Sequence, residues 1–420
     1  MQRAVTSIFD EPQSGQLPPP PYRRRRLLVG TLALVVLAGL YVVVALTAAL
    51  PSSHAALSLP AQVKAAGAST RIPLPATGQA ALQAGPSSYV GGAGPLKPVP
   101  IGSVAKVMTA LVVLRDHPLS AGAAGPELTV TAADEADYQS RAGSGQSLLP
   151  VVAGEQLSER QALEALLIPS ANNIATLLAR WDAGSVPAFI AKMTAAAAQI
   201  GLPDTRYNDP SGFDPGTVST VTDQIKLATR ALALPAFASV VAEQSVELPK
   251  IGPVANYNTL LGTLGVIGIK TGSTDAAGGN IVFAARQDVA GKTVTFVGAV
   301  LGADIGAPPL QALHAALDGA GALLAAAENQ IGVVTALPAG AVVGRLTAPW
   351  GAAVPLVTSG PLRVVGWPGN PVAVTITASR HPSLRQGGSV AVAHADSSTA
   401  PVVAAASLPG PSLWWRLTHP

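Results

Sequence analysis

The sequence predicts an α+β domain over residues 70–330, preceded by one transmembrane helix and followed by a small β-rich domain at residues 331–420. Three observations lead there. Residues 27–50 form an apolar run without a charge. From residue 70 onward, sheet signals flank a helical middle, a pattern that suits α+β better than a regular βαβ array. Past residue 331 the texture changes to short strand candidates separated by Pro, Gly and Ser clusters.

Residues 1–26 read as a disordered cytoplasmic tail, with the extended run Leu17-Pro18-Pro19-Pro20-Pro21 inside it. The apolar run that follows, LLVGTLALVVLAGLYVVVALTAAL, would be about 36 Å long as a helix, against a hydrocarbon core of about 30 Å. Arg23 to Arg26 immediately before it place the N-terminus in the cytoplasm and the rest of the chain outside. The small residues Ala45 to Ala49 also admit a cleaved signal peptide, although the run exceeds the usual apolar region of roughly 7–15 residues in such peptides. Both readings export residues 51–420. Residues 51–69 read as a linker.

Gly78 to Gln83 is a short strand candidate. Ser103 to Asp116 is helical, with Val104, Val107, Leu111 and Leu114 on one face. Helices at Leu157 to Pro169 and Ala171 to Trp181 are broken at Pro169-Ser170, and Ala188 to Ile200 stops at Gly201-Leu202-Pro203. Tyr207 to Gly216 is rich in turn residues, and Val221 to Leu234 is helical again. A strand at Gly265 to Gly272, a hairpin of Ile281 to Arg286 with Thr293 to Leu301, and a covering helix at Leu310 to Glu328 complete the domain. Beyond it, Val364-Val365, Val372 to Thr377 and Val390 to Val392 are strand candidates. The pair Trp414-Trp415 reads as packing against this β domain or touching the membrane interface.

Composition removes several function classes. The pI of about 9.2 invites a nucleic-acid reading, but Arg3 and Arg23 to Arg26 against Asp10 and Glu11 give the tail +3, which is the whole chain's net charge. The remainder is neutral, and no nucleic-acid partner is expected. There is no cysteine, hence no disulfide, thiolate ligand or cysteine nucleophile. The six histidines (His54, His117, His314, His381, His394 and His419) show no ligand spacing, so no metal site is expected.

Three short motifs carry chemistry. In Ser103-Val104-Ala105-Lys106, positions i and i+3 share a helix face, so the lysine amine reaches the serine hydroxyl. A serine is a poor nucleophile unless a neighbour takes its proton, and a lysine does so only with a lowered pKa. In Ser170-Ala171-Asn172, the hydroxyl suits proton relay, and the amide suits a substrate carbonyl and the orientation of Lys106. Lys270-Thr271-Gly272, followed by Ser273, ends an apolar strand where a lysine and a threonine can grip a carboxylate. Each motif alone has an ordinary reading: a surface lysine after an N-cap serine, a second N-cap, and a strand ending in a polar turn.

Their order and spacing, about 65 and then about 100 residues, match the penicillin-recognising serine enzymes. The segments PIGSVAKVMTALVVL, GEQLSERQALEALLIPSANNIATLLA, NDPSGFD and GVIGIKTGSTDAAGGN resemble the D-alanyl-D-alanine carboxypeptidase family, the low-molecular-mass penicillin-binding proteins, over residues 70–330. The resemblance implies a penicillin-binding/β-lactamase-like fold: an antiparallel sheet flanked by helices, plus a helical subdomain. It implies Ser103 as acylated nucleophile, Lys106 as its proton acceptor, and Ser170 and Asn172 as the second catalytic element, where many members have glycine in place of Ala171. It further implies substrate binding by Lys270, Thr271, Gly272 and Ser273, with the N–H groups of Ser103 and Ser273 as oxyanion hole. Peptidoglycan stem peptides would be substrates, β-lactams covalent inhibitors, and no cofactor or metal would be used.

A class A-like β-lactamase shares two of the motifs. It needs a glutamate to activate the deacylating water, and only Glu243 and Glu247 lie between Asn172 and Lys270. A catalytically silent peptidoglycan-binding receptor of the same fold is the alternative from another class.

Overall fold

The computed structural model describes residues 21–68, 72–85, 88–90, 96–379 and 386–419. The proline run from Leu17 to Pro20, His381 and the expected boundary at residues 69 and 70 lie outside the described residues. The apolar segment is one helix, Pro21–Thr47. It starts earlier than expected, because a proline in a first helical turn costs nothing and Arg23 to Arg26 are good helix formers. From Arg24 it is exposed nearly throughout, and its length and composition would suffice to cross a membrane.

The main sheet is antiparallel, in the order Val266–Thr274, Gly278–Val289, Lys292–Ala303, Gln79–Ala84. The long central strands alternate their side chains between two cores. Ile281, Phe283, Ala285, Phe296 and Val300 face the helix Pro309–Gln330, which buries Leu313, Leu317, Leu323 and Leu324 against them. That helix is apolar and long enough to span a bilayer, but here it covers a sheet. Val282, Ala284, Val297 and Ala299 face the other core. There they meet a lobe of helices: Lys106–Asp116, Glu159–Leu167, Asn172–Ala183, Val186–Ile200, Val221–Leu232 and Pro235–Val241. Capping boxes start two helices of this lobe, Ser158 with Gln161 and Thr131 with Asp134, the latter opening Ala132–Arg141. The architecture is the α+β arrangement that the sequence pattern calls for.

Residues 51–69 are not a free linker. His54–Leu57 pairs antiparallel with Val342–Thr347, in register from His54 against Thr347 to Leu57 against Gly344. Gln62–Lys64 pairs with Pro371–Ala373. Both segments are too short for their alternation to show, and their partners lie roughly 300 residues away in the chain. The six-stranded sheet that His54–Leu57 and Val342–Thr347 begin continues through Ala353–Thr358, Ser398–Ala404, Ser389–Ala395 and Thr375–Ala378, whereas Gln62–Lys64 and Pro371–Ala373 extend the main sheet past Gln79–Ala84 and Ser88–Val90. Only Ala48 to Ser53 separate the apolar helix from this sheet. The β unit therefore stands directly on the apolar helix.

Gly279 marks the tightest fit between the main sheet and its covering helix. A Cβ there would overlap the carbonyl of Ala312 and stand 2.9 Å from the amide nitrogen of Leu313. Gly279→Ala in the full chain in detergent should cost about 1–3 kcal/mol through overpacking and lower the thermal midpoint by several degrees. An unchanged midpoint would show that the helix does not bear on this strand.

Candidate active site

Ser103 lies in the 3-10 turn Gly102–Ala105, and Lys106 opens the helix that follows. The turn stacks the two side chains as the spacing predicts: Lys106 Nζ is 2.7 Å from Ser103 Oγ. The amine is fully buried. Its other contacts are the Asn172 side-chain oxygen at 2.6 Å and the Ser211 carbonyl at 3.1 Å. Both of these can only accept. A neutral amine has two hydrogens and one lone pair. With its hydrogens donated to Asn172 and Ser211, the lone pair faces the Ser103 hydroxyl.

The electrostatics favour that neutral form. Burial pushes the Lys106 pKa well below 10.5, and the positive charge of Lys270 pushes it further. Asp209 opposes this, and Arg141 adds to the lowering.

Asn172 begins the helix Asn172–Ala183, and its backbone N–H donates to the Ser147 carbonyl at 2.8 Å. Its side-chain N–H donates to Gln146 Oε1 at 2.8 Å, which turns the amide oxygen toward Lys106. Ser170 sits just before, at φ 66°, buried, with its hydroxyl unpartnered among the described residues. It is not an N-cap: Ala171 occupies that position, and no side chain caps the helix. A buried hydroxyl held in a left-handed backbone without a partner costs stability, and such costs collect at functional sites.

Lys270, Thr271, Gly272 and Ser273 lie on the edge strand Val266–Thr274 of the main sheet. Lys270 is buried, donates to the Thr271 carbonyl at 2.9 Å, and has its pKa lowered by burial to about 7. Gly272 is where this strand meets the Ser103 turn. A Cβ on it would stand 2.6 Å from the amide nitrogen of Ser103 and 3.0 Å from that of Val104. The Ser273 amide nitrogen lies 3.6 Å from where a Cβ on Gly102 would be. Two backbone N–H groups thus come close together beside the hydroxyl. The structure brings all three motifs to one place.

Two contributors were not singled out from the sequence. Gln146 fixes the Asn172 amide and is approached by Arg141 at 3.5 Å. Asp209 gathers the turn that presents the Ser211 carbonyl, accepting from the N–H groups of Ser211, Gly212 and Phe213 and from Thr217 Oγ1 at 2.7 Å. An aspartate two residues ahead of a Ser-Gly pair is an Asx-turn signal, which makes Asp209 readable in retrospect. Gln146, in a loop after Gly143-Ser144-Gly145, leaves no such signal.

Of the glutamates a β-lactamase mechanism would draw on, Glu243 is ion-paired with Arg160 and Glu247 lies on the peripheral strand Ser245–Leu248. Among the described residues no cluster of His, Asp or Glu is arranged to hold a metal ion.

Comparison with known proteins agrees with this geometry. The D-alanyl-D-alanine carboxypeptidase family profile matches residues 94–304, half of the chain. The D-alanyl-D-alanine carboxypeptidase DacB2 of Mycobacterium tuberculosis is 35% identical over 195 residues, covering 45% of this chain and 62% of that protein. A D-alanyl-D-alanine carboxypeptidase of Streptomyces sp. (strain K15) is 35% identical over 217 residues, 48% of this chain and 71% of its own. The chain therefore spans somewhat under two thirds of the first relative and somewhat over two thirds of the second. The crystal structure of the Streptomyces K15 DD-transpeptidase superposes with a TM-score of 0.52 at 26% identity, covering 62% of this chain and all of that one. Penicillin-binding protein 5 from Haemophilus influenzae shares the fold, with a TM-score of 0.58 at 20% identity over 81% of this chain. On its motifs, its fold and its relatives, this chain belongs to the D-alanyl-D-alanine carboxypeptidase family.

Proposed function

We propose that the protein is a serine-type D-alanyl-D-alanine carboxypeptidase that removes the terminal D-Ala of peptidoglycan stem peptides through an acyl-enzyme on Ser103. The observation that carries this reading is the Lys106 amine, 2.7 Å from Ser103 Oγ with its two other contacts both acceptors. The substrate carboxylate docks at Lys270 and Thr271. Lys106 takes the Ser103 proton as the oxygen attacks the penultimate D-Ala carbonyl, and the N–H groups of Ser103 and Ser273 hold the oxyanion. The C–N bond breaks, and D-Ala leaves with the proton passed back through Lys106 and the unpartnered hydroxyl of Ser170. Water then hydrolyses the ester and restores Ser103. β-Lactams enter the same route and stop at the acyl-enzyme, because the opened ring keeps its leaving amine tethered in the site where D-Ala would have departed and made room for water; Glu243 and Glu247, the glutamates between Asn172 and Lys270, are held elsewhere.

The reading includes an uncleaved anchor over residues 27–50, with the N-terminus cytoplasmic and the catalytic domain outside the membrane. The apolar, exposed helix Arg24–Thr47 and the arginines at its start support it.

Purified full-length protein incubated with a pentapeptide-bearing muropeptide should release one D-Ala, identified by mass, and Ser103→Ala should abolish both this release and labelling by fluorescent penicillin. Equal release by the variant would end the proposal. The pH profile of kcat/KM is a second test, since it reports the free enzyme. Activity should rise as Lys106 loses its proton, at a pH well below its ordinary 10.5. It should fall again above about 7, where Lys270 loses the charge that captures carboxylate. The guanidinium of Lys270→Arg stays charged throughout the assayable range, so the alkaline limb at about 7 should disappear. An unmoved limb would remove Lys270 from carboxylate capture.

A further inference from the structure

The last helix of the chain, Leu413–Thr418, lies against the apolar helix Pro21–Thr47 and not against the β unit alone. Two hydrogen bonds join them. Tyr41 Oη donates to the Leu417 carbonyl at 2.6 Å, and Arg416 Nη1 donates to the Leu46 carbonyl at 2.7 Å. Each accepting carbonyl belongs to the last turn of its helix, where intrahelical partners run out. Arg416 also brings a positive charge to the C-terminal end of the long helix, where the helix dipole favours it. Ala45, at 2% exposure, is the one fully buried residue of that helix among those described.

The short helix is held from its other side as well. Trp415 stacks on His419 with ring centroids 4.8 Å apart and meets Trp350 edge-on at 5.8 Å. Trp350 Nε1 in turn donates to the Pro409 carbonyl at 2.7 Å. Of the two adjacent tryptophans, Trp415 therefore packs inward. Trp414, at 75% exposure, and Leu413, at 69%, point away from the protein beside the exposed surface of the long helix.

Chain length fixes where this surface sits. From Arg26, a hydrocarbon core of about 30 Å takes about 20 residues of helix and ends near Leu46. Tyr41 to Leu46, the residues that Leu413–Thr418 touches, thus form the outer edge of the core. An exposed tryptophan and leucine at that level continue the apolar surface of the anchor into the zone where tryptophan partitions best.

We infer that Leu413–Thr418 is a membrane-interface clamp: it grips the outer end of the anchor and inserts Trp414 and Leu413 into the boundary between headgroups and acyl chains of the outer leaflet. The partner is the lipid bilayer itself. With only Ala48 to Ser53 between the anchor and the first strand of the β unit, this second attachment fixes the tilt of the β unit, and so the height at which the catalytic groove faces the cell wall. The inference rests on reading the Pro21–Thr47 helix as a retained anchor.

The natural absence of cysteine gives a direct test. Single cysteines at Trp414→Cys, Leu37→Cys in the middle of the anchor, and Leu310→Cys on the exposed start of the covering helix carry a nitroxide label. The full-length protein is placed in nanodiscs of phosphatidylethanolamine and phosphatidylglycerol. Label accessibility to oxygen, which concentrates in lipid, is compared with accessibility to a water-soluble nickel chelate. The label at 414 should show an oxygen-to-nickel ratio several-fold above that at 310 and below that at 37. A ratio at 414 equal to that at 310, with 37 in lipid, overturns the clamp while leaving the anchor in place. A label at 37 that is itself exposed to nickel overturns the anchor reading, and the clamp with it.

Discussion

One buried amine organises the site. Lys106 is fully buried, feels the positive charge of Lys270 and meets two acceptors that use its hydrogens, so its favoured state is neutral with the lone pair on Ser103. Lone buried charges cost several kcal/mol even after relaxation, which is about the scale by which such groups give up their protons. In the proposed mechanism one side chain thus meets the two needs of the serine, a base and its alignment. What the fold supplies is the surrounding cage, and each wall of that cage comes from a different part of the chain.

The first wall is the turn at Ser103 itself, whose N–H groups lie against Gly272. Only a residue without Cβ lets the strand come this close, and the closeness is what brings the edge strand that carries Lys270 and Ser273 up to Ser103. The second wall is the helical lobe, which presents Asn172 and the strained Ser170 at the break between two helices. The third is the turn gathered by Asp209, which aims the Ser211 carbonyl at the amine. The same carboxylate raises the Lys106 pKa, so Asp209 positions the base and limits how far burial depresses it.

Much of this was legible because the lobe helices are long enough for apolar periodicity to repeat and because their ends carry caps. The helix expected at Leu157 to Pro169 is Glu159–Leu167, begun by the Ser158 capping box, and the one expected at Leu310 to Glu328 is Pro309–Gln330. The hairpin strands were expected shorter than they are, because Gln287, Asp288 and Lys292 read as turn while their backbones continue the ladder to Val289 against Lys292. The strands inside residues 51–69 were illegible for a different reason. His54–Leu57 and Gln62–Lys64 owe their structure to partners near the other end of the chain, and three or four residues carry no period. In the site, Ser103, Lys106 and Lys270 announced themselves by spacing. Gln146 did not, since its role is to hold Asn172 in one orientation, and only coordinates reveal which amide faces which.

The account stands on the charge state of one lysine, and that state can be measured. With eight lysines in the chain, 13C labelling at the lysine Cε atoms gives few enough signals to follow one by one, and Lys106→Arg identifies the one that matters. Titration of the penicillin-free protein should show the Lys106 signal changing at a pH well below 10.5, ahead of the lysine signals that Lys106→Arg leaves in place. A Lys106 signal that changes alongside the surface lysines would mean a protonated amine at neutral pH, and Ser103 would have no base.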